Sequence, residues 1–194
     1  MNRRTWDFML TLVGALLTVA LLVAGGLLAW GATFTTSTVH SQLAEQQIYF
    51  PPKSAFAHPV AGTEITPSMI PSVSQYAGQE LLTGAQAEVW ANDFIAVHLK
   101  EIGGGKTYSE LSTEAQAQPN NAALQAQVET VFKGTTLRGL LLEAYAFSIF
   151  GTLATVAEIC CWILAALMLL LTVLGYAHYR RTPPDVAFPK GGAA

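Results

Sequence analysis

The sequence predicts an all-α membrane protein in which a two-helix transmembrane hairpin carries a mainly helical extracytoplasmic domain. Three observations predict this class. Hydrophobic residues make up 52% of the 194 residues and charged residues only 12%, which is about half the charged share of a typical soluble domain. Two long apolar segments are present. The region between them alternates helical patterns with breaks rich in proline and glycine.

Composition also excludes two classes of protein. The net charge is −3, the pI is about 5.8 and the mean hydropathy is +0.38. Disordered chains combine low hydrophobicity with high net charge, and nucleic-acid-binding domains carry a basic surface. We therefore expect a lipid bilayer as partner and no nucleic acid.

The first apolar segment predicts transmembrane helix 1 over residues 8–31, after a short cytoplasmic N-terminus, 1–7. Phe8–Trp30 contains 23 residues and no charge. At about 1.5 Å per residue this gives roughly 35 Å of helix, enough for a hydrocarbon core of about 30 Å. A cleaved signal peptide is the alternative, because Arg3 and Arg4 form a basic start. The apolar part of a signal peptide is about 7–15 residues long, so the length of this segment favours an uncleaved anchor.

The second apolar segment predicts transmembrane helix 2 over residues 150–176. Ile159–Tyr176 is an uncharged run of 18 residues. Counting about 25 residues back from Tyr176 places the opposite membrane face near Thr152. Glu158 is then inside the span, close to its outer side.

The basic residues at the two ends of the sequence predict the orientation. Cytoplasmic ends of spans carry an excess of lysine and arginine. Such residues precede the first span and follow the second: Arg3, Arg4, Arg180, Arg181 and Lys190. Both termini are therefore predicted in the cytoplasm, with a C-terminal tail over 177–194, and the chain is predicted to be a multi-pass protein of the plasma membrane.

The extracytoplasmic domain, 32–143, is predicted to be mainly helical. The periodicity of apolar residues predicts three helical segments besides the membrane helices: a continuation of helix 1 to about Ile48, a helix over 86–102 and a helix over 122–133. Thr107 and Glu110 have the spacing of a capping box and predict a short helical turn. The prolines within 53–74 predict an ordered loop or extended chain, and Gly134 predicts a break or kink before the membrane helix.

Glu158 is the first candidate functional residue, as a contact with a partner subunit or with a proton. A carboxyl group near the centre of a membrane span costs about 2.5–3.5 kcal/mol if it faces lipid. It could serve as a proton relay, an ion ligand or an anchor for a partner. The alternative is a protonated or snorkelling side chain near the outer interface, hydrogen bonded to Thr155 or to a lipid headgroup. The adjacent Cys160 and Cys161 are interpreted as small packing residues, and no disulfide is predicted.

Three extracytoplasmic residues are weak candidates for metal ligands: His40, His98 and Glu101. His98 and Glu101 share a helix face at spacing i, i+3, and His40 from the first helix could complete a zinc or copper site. No spacing matches a known ligand pattern, and a solvated or helix-capping histidine is the alternative. We predict no metal, no cofactor and no catalytic residue.

Four segments of the chain resemble a known group of proteins. These are TVHSQLAEQQIYFPP, YAGQ, WANDFIAVHLKEIGGGKTYSEL and TLRGLLL, at 38–52, 76–79, 90–111 and 136–142. They resemble a group of uncharacterised actinobacterial two-span membrane proteins, over about residues 10–176. Some members carry the label of an aromatic ring-opening dioxygenase, whose iron would need two histidines and a carboxylate. The resemblance implies the two-span topology and an actinobacterial envelope, and it transfers no catalytic residue.

The leading functional hypothesis is a non-catalytic accessory or scaffold subunit of a larger cell-envelope membrane complex, such as a respiratory or monooxygenase assembly. Its partners would be other membrane protein subunits. The first alternative is an extracytoplasmic ligand-binding or sensing module anchored by two helices. The second alternative is a metal-dependent enzyme.

Overall fold

A computed structural model describes residues 3–183, so that Lys190 and the remainder of the predicted tail lie outside the described residues. These residues form five α-helices, a π-helix and three short 3₁₀ turns, and their backbone contains no strand beyond a single bridge between Tyr49 and Glu80. The chain divides into two compact units. Unit 1 comprises residues 3–33 and 152–183, and unit 2 is Phe34–Gly151. The all-helical prediction is confirmed.

Two of the helices are long and apolar enough to cross a membrane. Helix α1 is Arg3–Gln46 and helix α5 is Ala122–Arg181. The most apolar stretch of α1 is only 17% buried, and that of α5 only 6%. Helix α1 ends two residues before the predicted Ile48, because Gln47 takes a left-handed backbone conformation with φ of 51°.

Unit 1 buries small side chains. On α1 its buried positions are Gly14, Thr18, Gly25 and Ala32, which are spaced by four and then seven residues. This spacing places them on one face of the helix. A Cβ added at Gly14 would lie 2.6 Å from the Thr172 hydroxyl oxygen of α5, so glycine lets the backbone of α1 approach α5 closely. Two other small residues of α1 are less buried: Ala20 is exposed and Ala24 is half-buried.

Contacts between α1 and α5 in unit 1 run in opposite order along the two helices. Asp7 accepts a hydrogen bond from Thr182, whereas a Cβ added at Gly25 would lie 3.2 Å from the Trp162 ring. Later residues on α1 thus meet earlier residues on α5.

Unit 2 has a core of large apolar side chains. Helices α2, Gly84–Val89, and α3, Ala96–Ile102, are joined by the π-helix Trp90–Ile95. Together with the loop before them they pack on residues of α1 and α5 that belong to the same unit. The core contains Val39, Leu43, Phe50, Ile65, Met69, Val73, Leu81, Ala87, Ala91, Ile95 and Leu141. A smaller cluster lies between helix α4, Tyr108–Ala117, and α5.

The local signals for the helix starts in unit 2 are confirmed. The capping box of Thr107 and Glu110 is present at the start of α4, which is longer than the predicted turn. A second capping box, of Thr83 and Gln86, begins α2 two residues before the predicted helix. The Asn121 side chain accepts a hydrogen bond from the Leu124 backbone at the start of α5.

The predicted break at Gly134 is wrong, because α5 continues without interruption through this residue. A Cβ added at Gly134 would lie 2.5 Å from the Leu99 Cδ2 atom. The glycine therefore allows α3 to approach α5 closely instead of ending the helix.

Candidate functional site

Glu158 has a hydrogen-bond donor on its own helix. Its carboxylate accepts a bond of 3.1 Å from the Trp162 indole nitrogen, one turn further along α5. The side chain of Glu158 is half-buried. The Trp162 ring in turn packs against Gly25 of α1, where there is no side chain to displace it. Trp162 therefore helps to position the carboxyl group of Glu158.

The neighbouring Cys160 and Cys161 are both free thiols. Cys160 is exposed and Cys161 is half-buried. These are the two cysteines of the sequence, and the structure leaves them unpaired.

A polar group lies at one end of unit 1. The Asp7 carboxylate accepts a hydrogen bond of 3.2 Å from the Thr182 hydroxyl and lies 3.7 Å from the His178 Nε2 atom. The Asp7 side chain is only 18% exposed. Beneath it is a notch of about 230 Å³ that includes Thr11 and Thr172. These contacts join the first turns of α1 to the last turns of α5.

Unit 2 contains an open pocket of about 800 Å³ that we call the His98 pocket. It is formed by the loop at 62–64, by the π-helix with α3, and by α5. The lining residues are Gly62, Thr63, Glu64, Phe94, Ile95, His98, Leu99, Glu101, Ile102, Thr130, Gly134 and Leu137. The structure therefore brings two of the three candidate ligands, His98 and Glu101, to one pocket.

His40 is not part of this pocket. It is exposed on α1, and it does not appear among the residues that line the pocket. Among residues 3–183 no group of three or more histidine, cysteine, aspartate or glutamate side chains is arranged to hold a metal ion. The structure thus separates His40 from the two candidates with which it was grouped.

A row of neighbouring rings leads to His98. The Trp90 and Phe94 rings stack with centroids 4.1 Å apart, and the Phe94 and His98 rings have centroids 4.6 Å apart and are tilted by 57°. Trp90 and His98 are eight positions apart, and in an α-helix residues with this spacing differ by about 80° in direction. The wider turn of the π-helix reduces this drift, so that the three rings stay in one row.

Hydrogen bonding defines which nitrogen of His98 carries a proton. Its Nδ1 atom lies 2.8 Å from the Phe94 carbonyl oxygen. A carbonyl oxygen can only accept, so Nδ1 is the donor in this bond. In the neutral ring Nε2 is then left as an acceptor.

The π-helix is tied to α5 by a polar contact. Arg138 donates a hydrogen bond of 2.8 Å from Nη2 to the Asn92 side-chain oxygen. The Arg138 Nε atom is buried and has no hydrogen-bond partner among residues 3–183. Arg138 therefore positions the segment that carries Phe94.

A second concave surface in unit 2, the α1–α5 groove, has a volume of about 510 Å³. Its walls are apolar residues of both helices, with Phe34 and Phe147 among them. Its polar residues are Thr38, Gln42, Gln46 and Glu143. Glutamine side chains both donate and accept hydrogen bonds, so this groove offers a ligand both donors and acceptors.

Two carboxylates outside both concave surfaces have lowered pKa values. The backbone N–H and the hydroxyl of Thr107 both donate to Glu110, at 2.7 and 2.8 Å, and these bonds hold the pKa of Glu110 below its usual value. A hydrogen bond from Lys133 similarly lowers the pKa of Glu129. Both carboxylates stabilise helices locally and take no part in the His98 pocket.

Comparison of the chain with models of protein families, with curated proteins and with solved structures finds no match. The resemblance to two-span actinobacterial proteins therefore stays a prediction. The chemistry of the side chains described above is the basis for the functional proposals that follow.

Proposed function

We propose that α1 and α5 cross the plasma membrane as an antiparallel pair, with both termini in the cytoplasm and residues 32–143 outside. The exposed apolar surface of both helices supports this arrangement, because such a surface is stable in lipid and costly in water. The opposite order of the contacts in unit 1 also supports it. The basic residues at the N-terminal end of α1 and at the C-terminal end of α5 favour the proposed orientation.

We further propose that the protein is a non-catalytic accessory subunit that scaffolds a larger membrane complex of the cell envelope. The observation that carries this proposal is the half-buried carboxylate of Glu158 within the proposed span. Its one hydrogen bond among the described residues comes from Trp162. A carboxylate can accept several hydrogen bonds, so a donor on a partner helix would lower the cost of keeping Glu158 in the membrane.

The test is purification of tagged variants from the native membrane in mild detergent, with mass spectrometry of the copurified proteins. Glu158→Leu removes the acceptor, and we expect it to reduce recovery of partner subunits at least several-fold. Glu158→Gln keeps an acceptor and should retain more of the partner. Val156→Leu, at a side chain that is 57% exposed on the same helix, is the matched control and should leave recovery unchanged.

Two results would contradict this function. If the unmodified protein is recovered without any stoichiometric partner, the proposed accessory role is rejected. If Glu158→Leu and Val156→Leu recover equal amounts of partner, the accessory role stands, but Glu158 is not part of the interface. Membrane insertion of each variant is checked first by carbonate extraction, so that a loss of partner is not a loss of protein.

The His98 pocket supports a second candidate function, an extracytoplasmic ligand-binding or sensing module. Pockets for small molecules have volumes of about 300–1,000 Å³, with apolar walls and a few polar groups, and the His98 pocket fits this description. A binding module predicts that a ligand raises the thermal stability of the purified full chain in the absence of any partner. The same chain can have both functions if the ligand regulates the complex.

A further inference from the structure

Five polar side chains line the His98 pocket. They are Thr63, Glu64, His98, Glu101 and Thr130. Two of them are carboxylates, and no lysine or arginine is among the lining residues. The pocket therefore has a negative lining at neutral pH.

The uncharged members of this set direct their protons into the protein backbone. The Thr63 hydroxyl donates to the Val60 carbonyl at 2.7 Å, and the Thr130 hydroxyl donates to the Ala126 carbonyl at 2.9 Å. His98 uses its Nδ1 proton on the Phe94 carbonyl. What these groups can still offer a ligand is therefore a lone pair. Every polar side chain of the pocket is an acceptor.

The remainder of the lining is apolar and partly aromatic. Trp90 covers one face of the Phe94 ring, so this ring adds apolar surface to the pocket. Ile95, Leu99, Ile102 and Leu137 contribute aliphatic surface. Aliphatic walls favour a ligand that also has an apolar part.

We infer that the His98 pocket binds an organic ammonium ion with an apolar body. A ligand of this class supplies the N–H donors and the positive charge that match two carboxylates and a set of polar side chains that only accept. An anion would meet like charges, and a bare metal ion would leave most of the volume unfilled. The α1–α5 groove does not have this property, because its glutamines also donate. The inference rests on the second candidate function and specifies its ligand.

The test compares three probes that share a phenyl body and differ in their polar group. These are 2-phenylethylammonium, 2-phenylethanol and 3-phenylpropionate. The full chain is reconstituted in phosphatidylcholine nanodiscs, and binding is measured by calorimetry at neutral pH and low salt, with empty nanodiscs subtracted. We expect the ammonium probe to bind about tenfold more tightly than either of the others, since an opposite charge close to the exposed Glu64 and Glu101 carboxylates is worth about that much.

Substitutions assign the site. We expect Glu64→Gln and Glu101→Gln each to weaken ammonium binding about three- to tenfold and to leave binding of the alcohol unchanged. Glu45→Gln is the matched control, because Glu45 is exposed on α1 in the same unit and lies outside the pocket. It should change the affinity less than twofold. Circular dichroism melts check that each variant is folded.

Each other outcome overturns the inference in a distinguishable way. If the alcohol or the carboxylate binds as tightly as the ammonium probe, and Phe94→Leu weakens it, the pocket is a binding site for another class and the binding module stands. If ammonium binding is unaffected by both pocket substitutions, the site lies elsewhere. If no probe binds at millimolar concentration, both the inference and the binding module are rejected.

Discussion

The two units of the molecule are both helical, yet they bury opposite kinds of side chain. Unit 2 encloses large apolar residues, with Phe50 at 2% exposure and Met69 and Leu81 at 0%. Unit 1 encloses Thr18, Ala32 and Ala165, while most of its leucines, and Phe8, are exposed. Leu16, for example, is 63% exposed.

The difference is the one expected if unit 1 lies in lipid, as proposed above, and unit 2 lies in water. In water the burial of large apolar side chains drives folding, and unit 2 follows this rule. In lipid the surroundings are as apolar as leucine itself, so helices gain instead from close contact between small residues. Unit 1 follows this second rule. Residues of α1 and α5 take part in both arrangements, so in the proposed membrane topology the solvent and not the helix decides which side chains are buried.

The largest test of this comparison is one substitution made in both units. Leu81→Ala in unit 2 should lower the free energy of unfolding by about 3 kcal/mol, because it leaves a cavity in a packed core. Leu16→Ala in unit 1 should change it by less than about 0.5 kcal/mol, because a lipid-facing side chain loses little packing. Hydrogen exchange of backbone amides in nanodiscs measures both effects. Equal losses would show that the two units do not differ in solvent.

A smaller effect tests the small-residue contact of unit 1. Gly14→Ala places a methyl group against Thr172 and should cost about 1–2 kcal/mol of helix packing. Gly26→Ala is the control, since a Cβ there meets nothing within 4 Å. The distance between spin labels on Leu12 and Leu174, with the native cysteines replaced by serine, should increase only in the Gly14 variant. The same increase in both variants would contradict the packing described for Gly14.

The smallest effect concerns pH and belongs to unit 2. Because folding lowers the pKa of Glu110 through its bonds to Thr107, this carboxylate stabilises the fold above its unfolded pKa. The contribution is lost as the pH falls through the folded pKa. Glu110→Gln should therefore flatten the acid side of the stability curve for α4, measured by hydrogen exchange between pH 3 and pH 6. An unchanged slope would show that the capping box does not discriminate between the two protonation states.

Features that depend on neighbours in the sequence could be predicted, and features that depend on distant contacts could not. The capping box of Thr107 and Glu110 is local, and the apolar lengths of α1 and α5 are read directly from composition. Gly134 was misinterpreted because its role depends on Leu99, 35 positions earlier in the chain. A glycine that ends a helix and a glycine that admits a neighbour have the same local sequence signal.

The same limit applies to the candidate sites. His98 and Glu101 were predicted to share a face from their spacing, and both line one pocket. Glu64 could not be found, because it comes from an irregular loop whose path no periodicity predicts. The bond from Trp162 to Glu158 joins residues at i, i+4, a local spacing at which helical side chains meet, and it is therefore a contact that the sequence alone can predict.

The π-helix Trp90–Ile95 has a consequence for comparing this chain with its relatives. A π-turn holds about one residue more than an α-turn, so a relative with a plain α-helix here would align with a gap of one residue. Removing that residue would leave Trp90 and His98 seven positions apart on a plain α-helix, and residues with this spacing differ by only about 20° in direction. The two rings would then stay on one face of the helix. A single-residue length difference within this segment is thus an evolutionary marker of the wide turn itself, and chains on either side of it can keep the aromatic face of the His98 pocket.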